Sequence, residues 1–495
     1  MRSVTVVFPE SLGTISPEIY GHFSEHIGGV FYDGLWVGED SPVENIRGFR
    51  KRLVDSFKAL NPPVLRWPGG CFAETYNWRD GIGERKRRPR RLNWWYSRDG
   101  RAESNEVGTH EFMDFCEMVG AQPYFAANIT STTPLDIREW VEYCNIPAGV
   151  TTLSDERAKN GHPAPFDVKY WGIGNENWGG GGNMSPEDCV SAFLRYTAVI
   201  NSVQDGLKYI LCGPNGNDVE WTRRLLKEYT GRKYRDAKLY GVSMHYYCGT
   251  AGTPQEFTRD EWYQLLFQAN FMERVIQNHR HAMDEFDPER KIALLVDEWG
   301  CWHKDGTGPS KGYNLFEQQS NMRDAVVAAL TLNIFNNHCD WVKMANVAQL
   351  CNNLHSLYLA HGDAFVETPN YYVFKMFREH MGARHLHTVV TAPCLEREGF
   401  APMKEISASA SEKDGKVTVT MANLSLDTKC EVALSAIGGK LSGDAELEIL
   451  SSPDPHTCNT FEDAYAVVPK STRIHLTEGA SIVLPPASVA RLTVG

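Results

Sequence analysis

Short apolar runs, many of them β-branched, recur along most of this chain, and helically spaced segments separate them. The runs fall at residues 64–67, 122–127, 170–174, 209–212, 239–244, 292–296 and 340–344. Residues 108–119, 186–203 and 321–333, lying between them, place apolar side chains three and four apart, the spacing of one helix face. Strands that alternate with helices have to pair in parallel, because each crossover returns the chain to the same edge of the sheet. Seven or eight such strands without a phosphate-binding glycine motif predict a closed (β/α)8 barrel, an α/β fold, over residues 18–385.

The pattern changes near residue 385. Residues 417–421, 446–450 and 481–484 read as short strands separated by turn residues, so 386–495 is expected to form an antiparallel, jelly-roll-like β-sandwich. Residues 4–8 form an isolated strand ahead of the barrel, and 1–17 are expected to join that sandwich.

Composition narrows the function. A formal charge of −12 argues against a nucleic-acid partner, whose binding face would be basic. No run approaches the roughly 18 apolar residues of a membrane span. The N-terminal apolar stretch stops at Pro9, too short for a secretion signal. Twelve cysteines without clustered spacing read as free thiols of a reducing compartment, so a cytoplasmic protein is expected.

Two runs end in carboxylates. Tyr170-Trp171-Gly172-Ile173-Gly174-Asn175-Glu176-Asn177-Trp178 is one, and Leu294-Leu295-Val296-Asp297-Glu298-Trp299-Gly300 the other. Carboxyl ends of barrel strands form the active-site face, so Glu176 and Glu298 are expected to converge there. Paired carboxylates are the machinery of retaining glycoside hydrolysis: one attacks the anomeric carbon and the other protonates the leaving oxygen. The nucleophile's charge is expected to raise the pKa of the acid. Trp178, Trp299 and Trp302 flank the pair and offer aromatic faces for sugar rings.

Gly-Asn-Glu followed far downstream by Asp-Glu-Trp resembles the retaining barrel glycosidases. Further matches run almost the length of the chain: Tyr20-Gly21-His22-Phe23-Ser24-Glu25-His26, Arg66-Trp67-Pro68-Gly69-Gly70, Tyr76-Asn77-Trp78-Arg79-Asp80-Gly81 and Met344-Ala345-Asn346-Val347-Ala348-Gln349-Leu350. Together they resemble glycoside hydrolase family 51, the α-L-arabinofuranosidases. The resemblance implies Glu176 as acid/base and Glu298 as nucleophile. It also implies Glu25, Cys71, Asn175, Tyr247 and Gln349 as sugar-binding or nucleophile-orienting residues. The implied reaction is exo-hydrolysis of terminal α-L-arabinofuranosyl groups from arabinan or arabinoxylan fragments, without metal or cofactor, by a homo-oligomer, often a hexamer. An endo-β-glucanase or xylanase with the same two glutamates is the alternative, and a sugar-binding protein on an inactive barrel a more distant one.

Three further segments carry rival readings. His22-Phe23-Ser24-Glu25-His26 spells a zinc-peptidase pattern that works only on a helix. Gly21, Gly28 and Gly29 flank it, at about 1 kcal/mol per helical glycine, so a strand-end loop is expected. The basic run at residues 85–91 lies near Asp80 and Glu84 and is expected to be a solvated loop or subunit contact. Gly179 to Gly182 lack a phosphate loop's lysine and are expected to give the chain after Glu176 room to bend.

Overall fold

A computed structural model describes residues 2–96, 100–234, 238–249, 251–304 and 306–495. Strand β1, Ser3–Val7, precedes eight barrel strands. These are β2 (Gly21–Phe23), β3 (Val64–Trp67), β4 (Gln122–Ala127), β5 (Tyr170–Ile173), β6 (Lys208–Leu211), β7 (Leu239–Gly249), β8 (Ala293–Trp302) and β9 (Val342–Ala348). They close a barrel in the order β6-β7-β8-β9-β2-β3-β4-β5. The predicted barrel is therefore present, and β2 is the strand whose three residues were too short to read in the sequence.

By density of contacts the chain forms two compact units. One comprises Gly21–His245 and Gln277–Asp297, the other Met1–Tyr20, Tyr246–Ile276 and Glu298–Gly495. In the first unit, strand register sorts the side chains. Trp67 pairs with Phe125, and Phe125 with Trp171. These three form an aromatic layer that meets helix α1 (Thr109–Val119) and helix α2 (Pro134–Asn145). Trp67 stacks on Phe112 at 4.8 Å and Phe125 on Trp140 at 4.8 Å. One residue back the side chains face the opposite way, since strand side chains alternate. Arg66 pairs in register with Tyr124 there, and its guanidinium lies 4.5 Å from the Phe23 ring.

Eight strands join β1 in the second unit's sheet: β10 (Arg384–Thr391), β11 (Ile406–Lys413), β12 (Lys416–Asn423), β13 (Cys430–Ile437), β14 (Gly443–Leu450), β15 (Lys470–Leu476), β16 (Ser481–Leu484) and β17 (Ser488–Val494), the last between β14 and β12. β1 lies between β10 and β13, antiparallel to the first and parallel to the second. The sheet is thus mostly, but not wholly, antiparallel. Buried residues of β1 and β13 share one core with those of β11, β12 and β17, so the sheet folds over on itself.

Helix α3, Met322–Asn337, is buried almost throughout. Two of its buried amides are paired inside the unit: Asn333 Oδ1 accepts from Ser409 and Thr420, both at 2.8 Å, and Asn336 Oδ1 from Tyr20 at 2.9 Å. Buried amides of this kind must be paired, because an unmet one costs about 1–3 kcal/mol.

Candidate active site

The first unit carries Glu25, Cys71, Asn175 and Glu176. Beyond β5 the backbone turns sharply, with φ of +89° at Gly174 and +43° at Glu176. The left-handed region costs a residue with a Cβ about 1–2 kcal/mol, so neighbours must hold Glu176 there. The glycine loop supplies part of that hold. Gly179 and Gly181 N–H groups donate to the Glu176 carbonyl at 2.8 and 3.1 Å. A Cβ on Gly181 would lie 1.7 Å from the Asn175 carbonyl oxygen, which explains glycine at that position.

Glu176 Oε1 lies 2.9 Å from His245 Nδ1, and the Cys71 thiol donates to Oε2 at 3.5 Å. Burial favours the neutral carboxyl, but the hydrogen bond and charge of His245, with Cys71 and Arg66, hold its pKa below the usual value. The sequence reading expected the opposite direction. It lacked His245, which stands on β7 two residues before Tyr247 and so on the same face of the strand.

Asn175 is oriented from both sides. Its Oδ1 accepts from Arg66 Nη2 at 2.6 Å, and its Nδ2 lies 4.0 Å from Cys71 Sγ. Arg66 also approaches Asp297, 3.9 Å away, which accepts from the Tyr124 hydroxyl at 2.6 Å. Glu25 Oε1 accepts from the Gly70 and Phe72 backbone and from Trp95 Nε1, each at 3.0 Å. Trp95 is thereby in contact with a predicted site residue. Trp94 flanks the position where a Gly180 Cβ would also meet Cys71.

The second unit carries Tyr247, Glu298, Trp302 and Gln349. Glu298 lies within β8, not beyond it, because the strand runs six residues past 296, where its sequence pattern ends. The Tyr247 hydroxyl donates to Glu298 Oε2 at 2.7 Å. Tyr247 meets Trp302 edge to face at 5.1 Å, and Trp302 meets Phe316 at 4.8 Å. Trp302 and, in the first unit, Trp178 stay partly exposed. Trp299 does not: it is buried against Phe335 and Phe374 as a core residue. Gln349 is buried, and its backbone N–H donates to Asn353 at 3.2 Å.

The rival motifs resolve differently. Residues 22–26 form a strand end and loop, with His26 held by Trp67 Nε1 at 3.1 Å and by Glu103 at 3.2 Å. The helical face a zinc peptidase needs is absent from this segment. The basic run is largely an exposed loop, with Lys86, Arg87, Arg90 and Arg91 at the surface, anchored by ion pairs to neighbouring carboxylates. Arg88 grips Glu111 through two bonds of 2.8 and 2.9 Å, Arg85 pairs with Glu39, and Arg91 with Asp80. Cys301, Asp324 and His355 place donor atoms within 4.8 Å of one another. His355 Nδ1, however, accepts the Cys301 N–H at 3.2 Å, which puts the ring proton on Nε2 and leaves no lone pair there for a cation.

Comparison with known proteins completes the assignment. The family description "Alpha-L-arabinofuranosidase 1 domain" matches residues 56–256, and "Alpha-L-arabinofuranosidase C-terminal domain" matches 297–488. An intracellular exo-α-L-arabinofuranosidase of Bacteroides ovatus is 36% identical, over 99% of this chain and 95% of its own length. The crystal structure of a family 51 arabinofuranosidase from Xanthomonas axonopodis pv. citri superposes with a TM-score of 0.93 at 35% identity, covering both chains fully. The α-L-arabinofuranosidase of Thermotoga maritima, in complex with arabinose, gives 0.88 at 29% identity, again over all of both chains. On that identity and coverage the chain belongs to the α-L-arabinofuranosidases of glycoside hydrolase family 51, and is a glycoside hydrolase.

Proposed function

We propose that this enzyme removes terminal non-reducing α-L-arabinofuranosyl groups from arabinan- or arabinoxylan-derived oligosaccharides with retention of configuration. What supports the reading is that both glutamates belong to barrel strand segments, Glu176 just beyond β5 and Glu298 within β8. Each is held by a different partner, an imidazole for Glu176 and a phenol for Glu298.

In the first step Glu298 attacks the anomeric carbon as the bond to the leaving oxygen breaks. Tyr247 fixes one carboxylate oxygen, which aims the other at the sugar. Glu176 delivers the proton it shares with His245 to the departing oxygen. Water then enters, Glu176 takes its proton, and attack on the anomeric carbon releases Glu298. Two inversions give net retention. Asn175, oriented by Arg66, would bond the sugar 2-hydroxyl, a contact that strengthens as charge develops in the ring. Glu25, Cys71 and Gln349 would meet the remaining hydroxyls, with Trp178 and Trp302 against the apolar ring face.

The twelve cysteines are all free, which fits a reducing cytoplasm, and the Bacteroides ovatus relative is described as intracellular. Assembly into a homo-oligomer follows from the family resemblance.

The test is nitrophenol release from an aryl α-L-arabinofuranoside, run beside the β-xyloside and β-glucoside. Release from the arabinofuranoside alone is expected, and Glu298→Ala should abolish it. Cleavage of β-linked glucan or xylan without arabinofuranoside turnover would overturn the substrate assignment.

A further inference from the structure

One buried carboxylate in the first unit touches neither proposed catalytic glutamate, yet three loops close on it. Glu74 belongs to the short 3-10 turn Cys71–Thr75 that follows β3, and it is 1% exposed. Its Oε1 accepts the Asn175 backbone N–H at 2.7 Å, beyond β5. Its Oε2 accepts the Ile129 and Thr130 N–H groups, both at 3.0 Å, beyond β4. Its own carbonyl accepts the Ser131 hydroxyl at 2.8 Å. The carboxylate therefore ties together the segments that follow three consecutive barrel strands.

The tie falls at a strained point. Asn175 lies between Gly174 and Glu176, both in the left-handed region, so local preference alone would let this peptide relax. The same turn carries Cys71, whose thiol reaches Glu176. Movement at Glu74 would thus displace the backbone behind Glu176 and one of the side chains in front of it.

We propose that Glu74 is a positioning residue for general acid catalysis: its carboxylate fixes the Gly174–Glu176 backbone and so the direction in which Glu176 presents its proton. This rests on the reading of Glu176 as acid/base. Misplacing a reacting group by about 1 Å can cost a hundredfold in rate, and the loss should follow the demand for proton donation. A residue needed only for stability would lower the active fraction equally for every substrate.

Glu74→Gln keeps the size but turns an amide NH2 toward either the Asn175 N–H or the Ile129 and Thr130 pair. Turnover is compared on two aryl α-L-arabinofuranosides, phenyl with a poor leaving group and 2,4-dinitrophenyl with an activated one. The expected result is a fall in kcat/KM, which reports the first, proton-donating step alone, of about tenfold or more on the phenyl substrate and about threefold or less on the activated one. Equal losses on both, or none, would overturn the proposal. Should Glu74→Gln fail to fold, Glu74→Asp carries the same comparison, since the shorter carboxylate cannot reach both arms. Glu176→Ala, measured alongside, separates the two claims. If it shows the leaving-group split and the Glu74 variant does not, only the role of Glu74 falls. If Glu176→Ala shows no split, the acid/base reading itself is wrong.

Discussion

A carboxylate's behaviour is set by what it touches, and the two proposed catalytic glutamates have different company. Glu298 receives a phenol that donates at 2.7 Å, a contact that fixes its direction. Tyr247→Phe removes that donor while keeping the ring against Trp302. A fall in kcat of roughly tenfold, the value of one charge-assisted hydrogen bond, is expected from steady-state kinetics, with the fold unchanged by circular dichroism. At this scale the sequence was partly legible. Glu176 and Glu298 stood out because each terminates an apolar run, a local signal. His245, Arg66 and Glu74 did not, because their partners lie 69, 109 and 101 residues away and no local spacing marks them. The direction of the Glu176 pKa was misjudged for the same reason.

Elements were legible where their pattern was periodic. The strands at 64–67, 122–127 and 170–174 emerged nearly as read, whereas β7 and β8 run well past their apolar stretches. Those extensions carry His245, Tyr247 and Glu298, polar residues that end an apolar run while the strand continues. Helix α3 shows how an element depends on one charge. Its N-cap Asn321 and Asp324 form a capping box, and Asp324 also bonds His303 Nε2 at 2.8 Å. Burial pushes the Asp324 pKa up, but the charge and hydrogen bond of His303, together with the charges of His355 and Arg323, outweigh it and the net direction is down. A carboxyl depressed in the folded state contributes stability above its unfolded value, near 3.9, and loses it as pH falls through the lower folded value. Asp324→Asn should therefore cost about 3 kcal/mol at neutral pH, by denaturant titration. That gap from the parent should close as the pH drops below about 4; a gap that stays constant down to pH 2 would contradict the assignment.

At the scale of the whole molecule, the alternation of strand and helix was enough to predict the barrel, because parallel pairing leaves few other closures. The sheet that contains β10 to β17 was read from three strands only. The others, such as β10 and β15, alternate exposed polar with apolar residues too weakly to stand out. Placement of β1 beside β13 was beyond local reading, since that pairing joins segments more than four hundred residues apart. Side-chain alternation in the barrel then turns Arg66 and Tyr124 away from the Trp67 and Phe125 layer, toward Asn175 and Asp297.

The central claim is that two glutamates act in succession on one anomeric carbon, and the stereochemistry of the first product tests it most directly. An aryl α-L-arabinofuranoside is turned over in dilute methanol, and the methyl glycoside, whose anomeric configuration is locked as an acetal, is observed by proton NMR before the enzyme hydrolyses it. Double displacement predicts methyl α-L-arabinofuranoside as the first product. Initial appearance of the β anomer would mean a single displacement by the acceptor, and would contradict the role given to Glu298.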